Sequence, residues 1–178
     1  MNQRYKTALM WALYAALFLF VLLIQTMALG RTRFFGVKLD LIPVVVVCVC
    51  LFCGHEAGGL FGLLAGCFWF LTGAEDGSLA IVTLTGCGIL AGYLCGHVLP
   101  RRFGSCLILC LGALLLHEGA RFLLQFYLGG AGAALSLWVP VTAGLSLLGS
   151  PVNYPLAKVI GKVGGRLWNG VSAPESAF

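Results

Sequence analysis

Apolar residues run along this chain in six long stretches, and short polar or glycine-rich segments separate them. A bilayer core about 30 Å thick is crossed by a helix of roughly 20 apolar residues. Because a backbone in lipid has to satisfy its own polar groups, each stretch is expected to be helical, including the valine-rich second one. The pattern predicts an all-α polytopic membrane protein with six transmembrane helices, at about 7–29, 40–54, 57–73, 78–98, 104–128 and 134–157.

The composition agrees with this interpretation and leaves no room for a sizeable soluble domain. Of the 178 residues, 60% are hydrophobic and 10% are charged, and the mean hydropathy is +1.00. Soluble domains carry about 25% charged residues. We therefore expect one transmembrane domain over residues 1–170 and a flexible C-terminal tail at 171–178. The first apolar run exceeds the roughly 7–15 residues of a signal-peptide core, so it is expected to be retained.

The net charge of +5 comes from basic residues that flank the apolar runs. Such residues favour the cytoplasmic side of a membrane, so they indicate topology and no nucleic-acid partner. With six spans, one side collects Arg4, Lys6, Arg101, Arg102, Lys158, Lys162 and Arg166. The other side collects Arg31, Arg33 and Lys38. This asymmetry predicts that both termini are cytoplasmic.

Glycines recur at intervals of four in the third and fourth stretches. They are Gly58, Gly62 and Gly66, and Gly88, Gly92 and Gly96. Small residues at this spacing form a groove that lets another helix approach closely. The spacing predicts tight packing of these two helices, and docking of a partner helix is the alternative.

A polar cluster interrupts the fifth stretch at His117, Glu118, Arg121 and Gln125. An isolated charge within a span is costly, so Glu118 and Arg121 are expected to form an ion pair that faces protein. The cluster fits three roles: fixing helix packing, contacting a partner or ligand, or passing protons or ions. It lacks the second histidine of the H-E-x-x-H zinc-protease motif.

Acidic residues lie at two helix boundaries. Asp40 precedes the second stretch, where a carboxylate stabilises a helix N-terminus. Glu75 and Asp76 form an acidic turn on the outer side, interpreted as a solvated turn or as a contact for a basic partner surface.

The eight cysteines all lie within apolar stretches. Cys48, Cys50 and Cys53 resemble a metal motif, but positions 48 and 50 of one helix point about 200° apart. We therefore expect cysteine to act as a small apolar residue here. With no nucleophile–base pair, phosphate loop or metal set in the sequence, we predict no enzyme, no metal and no cofactor.

Several segments resemble the rod shape-determining protein MreD family. They are Gly58-Gly-Leu-Phe-Gly-Leu-Leu-Ala-Gly-Cys-Phe-Trp-Phe-Leu-Thr-Gly73, Gly88-Ile-Leu-Ala-Gly-Tyr-Leu94, the basic turn Pro100-Arg-Arg-Phe-Gly104 and Asn153-Tyr-Pro-Leu-Ala-Lys158. The chain departs from the family in one respect. Many members carry an aspartate towards the end of the third span, and the corresponding Cys67-Phe-Trp-Phe-Leu-Thr72 has no acid.

The resemblance implies a non-enzymatic subunit of the bacterial cell-elongation complex, in the plasma membrane. Its implied partners are an MreC-like single-span protein, RodA-type and penicillin-binding proteins, and membrane lipid, and its implied role is cell-shape maintenance and lateral peptidoglycan synthesis. The implied fold is similar to that of the substrate-binding subunits of energy-coupling-factor transporters. The alternative function is therefore a substrate-binding subunit of such a vitamin transporter, with the polar cluster of the fifth span as its ligand site.

Overall fold

The computed structural model describes residues 3–29, 39–72, 77–100, 102–128 and 138–164. The helices are α1 (Gln3–Ile24), α2 (Ile42–Cys53), α3 (His55–Leu71), α4 (Gly77–His97), α5 (Phe103–Tyr127), α6 (Trp138–Ser146) and α7 (Ser150–Gly164). A π-helical segment, Gln25–Leu29, extends α1, and a 3₁₀ turn, Leu147–Gly149, joins α6 to α7. Within these ranges there is no strand, so the all-α prediction is confirmed for the described part of the chain.

Helix α2 is the centre of the bundle. All twelve of its residues are buried, and it contacts α1, α3, α4, α5 and α7. A helix that is apolar on every face is typical of a buried core helix or a membrane span, and here other helices surround it. The four consecutive valines, Val44 to Val47, have modest helix propensity, but their burial outweighs it. Pro43 lies in the first turn, where no backbone N–H is required.

Three of the described helices are long and apolar enough to cross a membrane. These candidate spans are Tyr5–Met27, Ser78–His97 and Phe103–Tyr127. By contrast, α2 has twelve residues and is about 18 Å long at 1.5 Å per residue, shorter than the bilayer core. The more detailed statement that six helices cross the bilayer stays a prediction.

A single glycine connects α2 to α3, so the connection between the spans predicted at 40–54 and 57–73 is one residue long. Gly54 has φ 84° and ψ 176°, a conformation that is essentially restricted to glycine. Its N–H donates to the carbonyl of Cys50, and its own carbonyl accepts from the N–H of Gly58. The chain can therefore reverse between two buried helices without leaving these backbone groups unsatisfied.

The sixth predicted span, 134–157, corresponds to α6 and α7, which a 3₁₀ turn joins. Helical structure continues through α7 to Gly164, while residues 134–137 lie outside the described part. The apolar run weakens after Leu156, but one face of α7 still packs on α1. The hydroxyl of Tyr14 donates to the carbonyl of Ala157 at 3.1 Å, and Gly161, one turn further along, is buried against the same hydroxyl. Packing on one face extends a helix beyond a continuous apolar run. The predicted tail at 171–178 also lies outside the described residues.

Candidate functional site

A buried polar network lies where α1 ends and α2 begins, beside the middle of α5. Its centre is the imidazole of His117 on α5, which is 1% exposed. The Nε2 atom lies 3.5 Å from Oδ2 of Asp40, and Nδ1 lies 2.7 Å from Oγ1 of Thr83. The ring therefore bridges the segment before α2 and helix α4.

Two arrangements of hydrogen atoms in this network agree with the number of available donors. The hydroxyl of Thr83 also lies 2.9 Å from the carbonyl of Leu79, and it has one hydrogen to donate. If it donates to Leu79, Nδ1 of His117 is the donor to Thr83. If it donates to Nδ1 instead, the ring hydrogen is on Nε2. The 3.5 Å between Nε2 and Oδ2 of Asp40 is an electrostatic contact, and because an ionised carboxylate only accepts, it is favourable when Nε2 carries a hydrogen.

The backbone around Asp40 is held from two sides. Gln25, in the π-helical segment, donates to the carbonyl of Leu39 at 2.6 Å and accepts from the N–H of Leu41 at 3.1 Å. The N–H of Asp40 donates to the hydroxyl of Ser146 on α6 at 2.9 Å. These bonds satisfy backbone groups that precede a helix and have no intrahelical partner. They also hold the aspartate in the position from which it meets His117.

The carboxylate of Asp40 also contacts the N-terminus of α2, as the sequence predicted. Its Oδ1 accepts from the N–H of Ile42, the first residue of α2, at 3.3 Å. Asp40 therefore stabilises the N-terminus of the central helix and faces the imidazole with its other oxygen. Asp40 is 5% exposed, so these interactions are shielded from solvent.

The predicted polar cluster of α5 divides into two groups. Glu118 and Arg121 form the expected ion pair, with 4.0 Å between Oε2 and the guanidinium. The side chain of Glu118 is 8% exposed and that of Arg121 is 20% exposed, so the pair lies at the edge of the bundle. Gln125 is partly exposed one turn further along. His117 instead points to α4 and the start of α2, away from the ion pair.

Sequence reasoning did not identify Gln25, Thr83 or Ser146 as members of this network. The structure buries all three residues. The sequence signal that could have identified them is a polar residue within an apolar stretch. The pairing of Asp40 with His117 was also missed, because it depends on how separate helices are rotated. The predicted acidic turn, Glu75 and Asp76, lies outside the described residues.

The glycine grooves of α3 and α4 are filled mainly by each other. A Cβ atom at Gly58 would lie 2.9 Å from the carbonyl oxygen of Gly88, and one at Gly88 would lie 2.5 Å from that of Gly58. At Gly62 it would meet the oxygen of Leu84 at 2.5 Å. The same holds for Gly66 against Ile81 and for Gly92 against Gly54 and His55, while Gly96 has open space. Five of the six predicted glycines therefore serve contacts within this chain.

The C-x-C-x-x-C segment of α2 is split among different neighbours. The Sγ of Cys50 lies 3.3 Å from the carbonyl oxygen of Gly58. The Sγ of Cys48 lies on another face, 3.6 Å from that of Cys106 on α5. Cys48 and Cys50 therefore point in different directions, as their helical spacing predicts. The sequence did not show that Cys48 meets cysteines of another helix.

An apolar groove runs between α1 and α3. Its cavity of about 470 Å³ is lined by Trp11, Ala15, Phe18, Leu19, Ala57, Leu60, Phe61, Leu64, Ala65 and Phe68, all of which are apolar. The ring centroid of Phe61 lies 6.5 Å from that of Trp11 and 6.0 Å from that of Phe18, so aromatic contacts connect the two walls. The three alanines make room between them.

Comparison with protein-family models, with curated proteins and with solved structures gives no match to this chain. The resemblance to the MreD family stays a prediction from the sequence.

Proposed function

We propose that this chain is a non-enzymatic membrane subunit that binds the transmembrane helix of a single-span partner in the groove between α1 and α3. The observation that carries the proposal is the all-apolar lining of this groove. Because lipid tails are as apolar as the groove, a helix is held there by close packing, and small residues promote such packing. Ala15, Ala57 and Ala65 provide them.

The groove has the length that helix binding requires. Its lining extends from Trp11 to Leu19 on α1 and from Ala57 to Phe68 on α3. At 1.5 Å per residue these walls are about 12 and 16 Å long, which corresponds to two to three helical turns. A helix-in-groove complex is typically anchored by side chains at i, i+3, i+4 and i+7 over this length.

The partner that fits best is an MreC-like single-span protein, since the sequence resembles the MreD family. The chain would then act in the bacterial cell-elongation complex, with RodA-type and penicillin-binding proteins, in cell-shape maintenance and lateral peptidoglycan synthesis. Both termini would face the cytoplasm, according to the distribution of basic residues. In this function the polar network around His117 keeps α2, α4, α5 and α6 in register, so that the groove keeps its shape.

The test is partner recovery from native membranes with a groove variant and a matched control. Ala15 lines the groove, whereas the adjacent and exposed Ala16 is not among its lining residues. Ala15→Trp would fill the groove and Ala16→Trp would project towards lipid. We expect the tagged wild-type protein and Ala16→Trp to recover an MreC-like partner in mild detergent. Ala15→Trp should lose it while keeping the thermal stability of the control.

Two outcomes would contradict the proposal. Equal partner recovery from Ala15→Trp and Ala16→Trp would exclude the groove as the binding site. Co-elution of an ATPase and a coupling subunit in place of a single-span protein would favour the vitamin-transporter function.

A further inference from the structure

Three cysteine thiols from two helices meet inside the bundle. Cys106 and Cys110 lie one turn apart on α5, and Cys48 faces them from α2. The Sγ atoms of Cys48 and Cys106 are 3.6 Å apart, and those of Cys106 and Cys110 are 3.8 Å apart. All three sulfurs lie within 4.8 Å of one another, and all three residues are 0% exposed.

We propose that Cys48, Cys106 and Cys110 bind one Cu(I) ion through three sulfur atoms. A metal–sulfur bond of about 2.3 Å in a trigonal plane separates the sulfurs by about 4.0 Å. The separations of 3.6 and 3.8 Å are within a few tenths of an ångström of that value. Small changes in the cysteine rotamers are therefore sufficient to accommodate the ion.

The ligand set distinguishes Cu(I) from the other metals that thiolates bind. Sulfur ligands select Cu(I), zinc and iron–sulfur clusters. Structural zinc is almost always bound by four ligands, and iron–sulfur clusters are typically held by four cysteines. Among the described residues, this cluster contains three side chains that could bind a metal, and all three are cysteines. A three-sulfur site in an apolar interior suits a soft ion of low coordination number.

The charge of the site also favours a monovalent ion. Each thiol that binds as a thiolate releases one proton. Cu(I) with one thiolate leaves a neutral site, and each further thiolate adds one negative charge to an interior that disfavours charge. We therefore expect Cu(I) binding to release one or two protons.

The position of the site in the bundle indicates what a bound ion would do. Cys106 and Cys110 follow Phe103 by three and seven residues, so they lie about 4.5 and 10 Å from the start of α5. The site is close to one end of the bundle, where Phe103 is exposed. A bound ion would connect central helix α2 to α5 and stabilise the fold. This inference is independent of the proposed partner binding.

The experiment is an anaerobic titration of the purified, reduced protein with Cu(I), in competition with a chromophoric Cu(I) chelator. The matched variants are Cys106→Ala, within the cluster, and Cys87→Ala, a buried cysteine of α4 outside it. We expect one Cu(I) per chain in the wild type and in Cys87→Ala, with three sulfur ligands in the X-ray absorption spectrum. Cys106→Ala should lower the affinity at least a hundredfold.

Thermal melting keeps the test decisive if Cys106→Ala folds poorly. Cu(I) should raise the Tm of the wild type and of Cys87→Ala but leave that of Cys110→Ala unchanged. The proposal is overturned if the wild type fails to compete with the chelator. It is also overturned if Cys106→Ala and Cys110→Ala bind as tightly as the wild type, or if zinc binds the cluster more tightly than Cu(I).

Discussion

Replacing Gly62 with alanine tests whether backbone-to-backbone contact holds α3 against α4. A Cβ atom at this position would lie 2.5 Å from the carbonyl oxygen of Leu84 and 3.1 Å from the Cα of Thr85. The first distance is about 0.9 Å shorter than the 3.4 Å at which ordinary contact begins. Both neighbours are backbone atoms, so the steric overlap can be removed only if the two helices move apart. Overpacking of this kind costs about 1–3 kcal/mol.

Gly86→Ala is the matched control, because Gly86 lies within α4 and has nothing within 4 Å of its Cβ position. Both substitutions gain roughly the same helix propensity, about 1 kcal/mol. The difference between the two variants therefore isolates the packing cost. We expect Gly62→Ala to be less stable than Gly86→Ala by about 1–3 kcal/mol, or about 5- to 150-fold in the unfolding equilibrium constant.

The assay is reversible unfolding in mixed detergent micelles, followed by circular dichroism, with both variants in the same detergent composition. A Gly62→Ala protein that is as stable as Gly86→Ala, or more stable, would refute close α3–α4 packing.

Three further perturbations test the connection between α2 and α3, the polar network and the α1–α7 contact. Gly54→Ala forces a non-glycine residue to φ 84° and should lower the free energy of unfolding by about 1–3 kcal/mol. His117→Leu removes the imidazole that faces the buried carboxylate of Asp40 and should cost about 3 kcal/mol, part of which Asp40→Asn should restore in the double variant. Tyr14→Phe removes the hydroxyl that donates to Ala157 and should cost about 0.5–1.5 kcal/mol.

The same unfolding assay measures all three effects. Gly144→Ala, at a helical glycine with open space, is the control for Gly54→Ala, and equal stability of the two would contradict the backbone argument. Strictly additive effects of His117→Leu and Asp40→Asn would show that the two side chains are not coupled. A Tyr14→Phe protein with wild-type stability would show that its hydroxyl contributes nothing.

The positions of the helices could be predicted from the sequence, because each depends on local properties of the chain. Long apolar runs become helices where the backbone has to form its hydrogen bonds internally, and Gly54 marks the turn between two of these helices. The close packing of α3 on α4 was also predictable, since a glycine every fourth residue places the groove on one face of each helix. The exception is the sixth apolar run, which forms α6 and α7 joined by a 3₁₀ turn, with α7 continuing to Gly164 beyond the continuous apolar run.

The tertiary structure decided which side chains meet. The sequence does not show that α2 is enclosed on every side, that Asp40 faces His117, or that Cys48 joins two cysteines of α5. These contacts link residues far apart in the chain. They depend on the rotation of each helix about its axis and on its shift along that axis relative to its neighbours. A rotation by one residue, 100° about the helix axis, would turn each of these side chains to a different neighbour. Local pattern therefore determined the helices, and their mutual packing determined the sites.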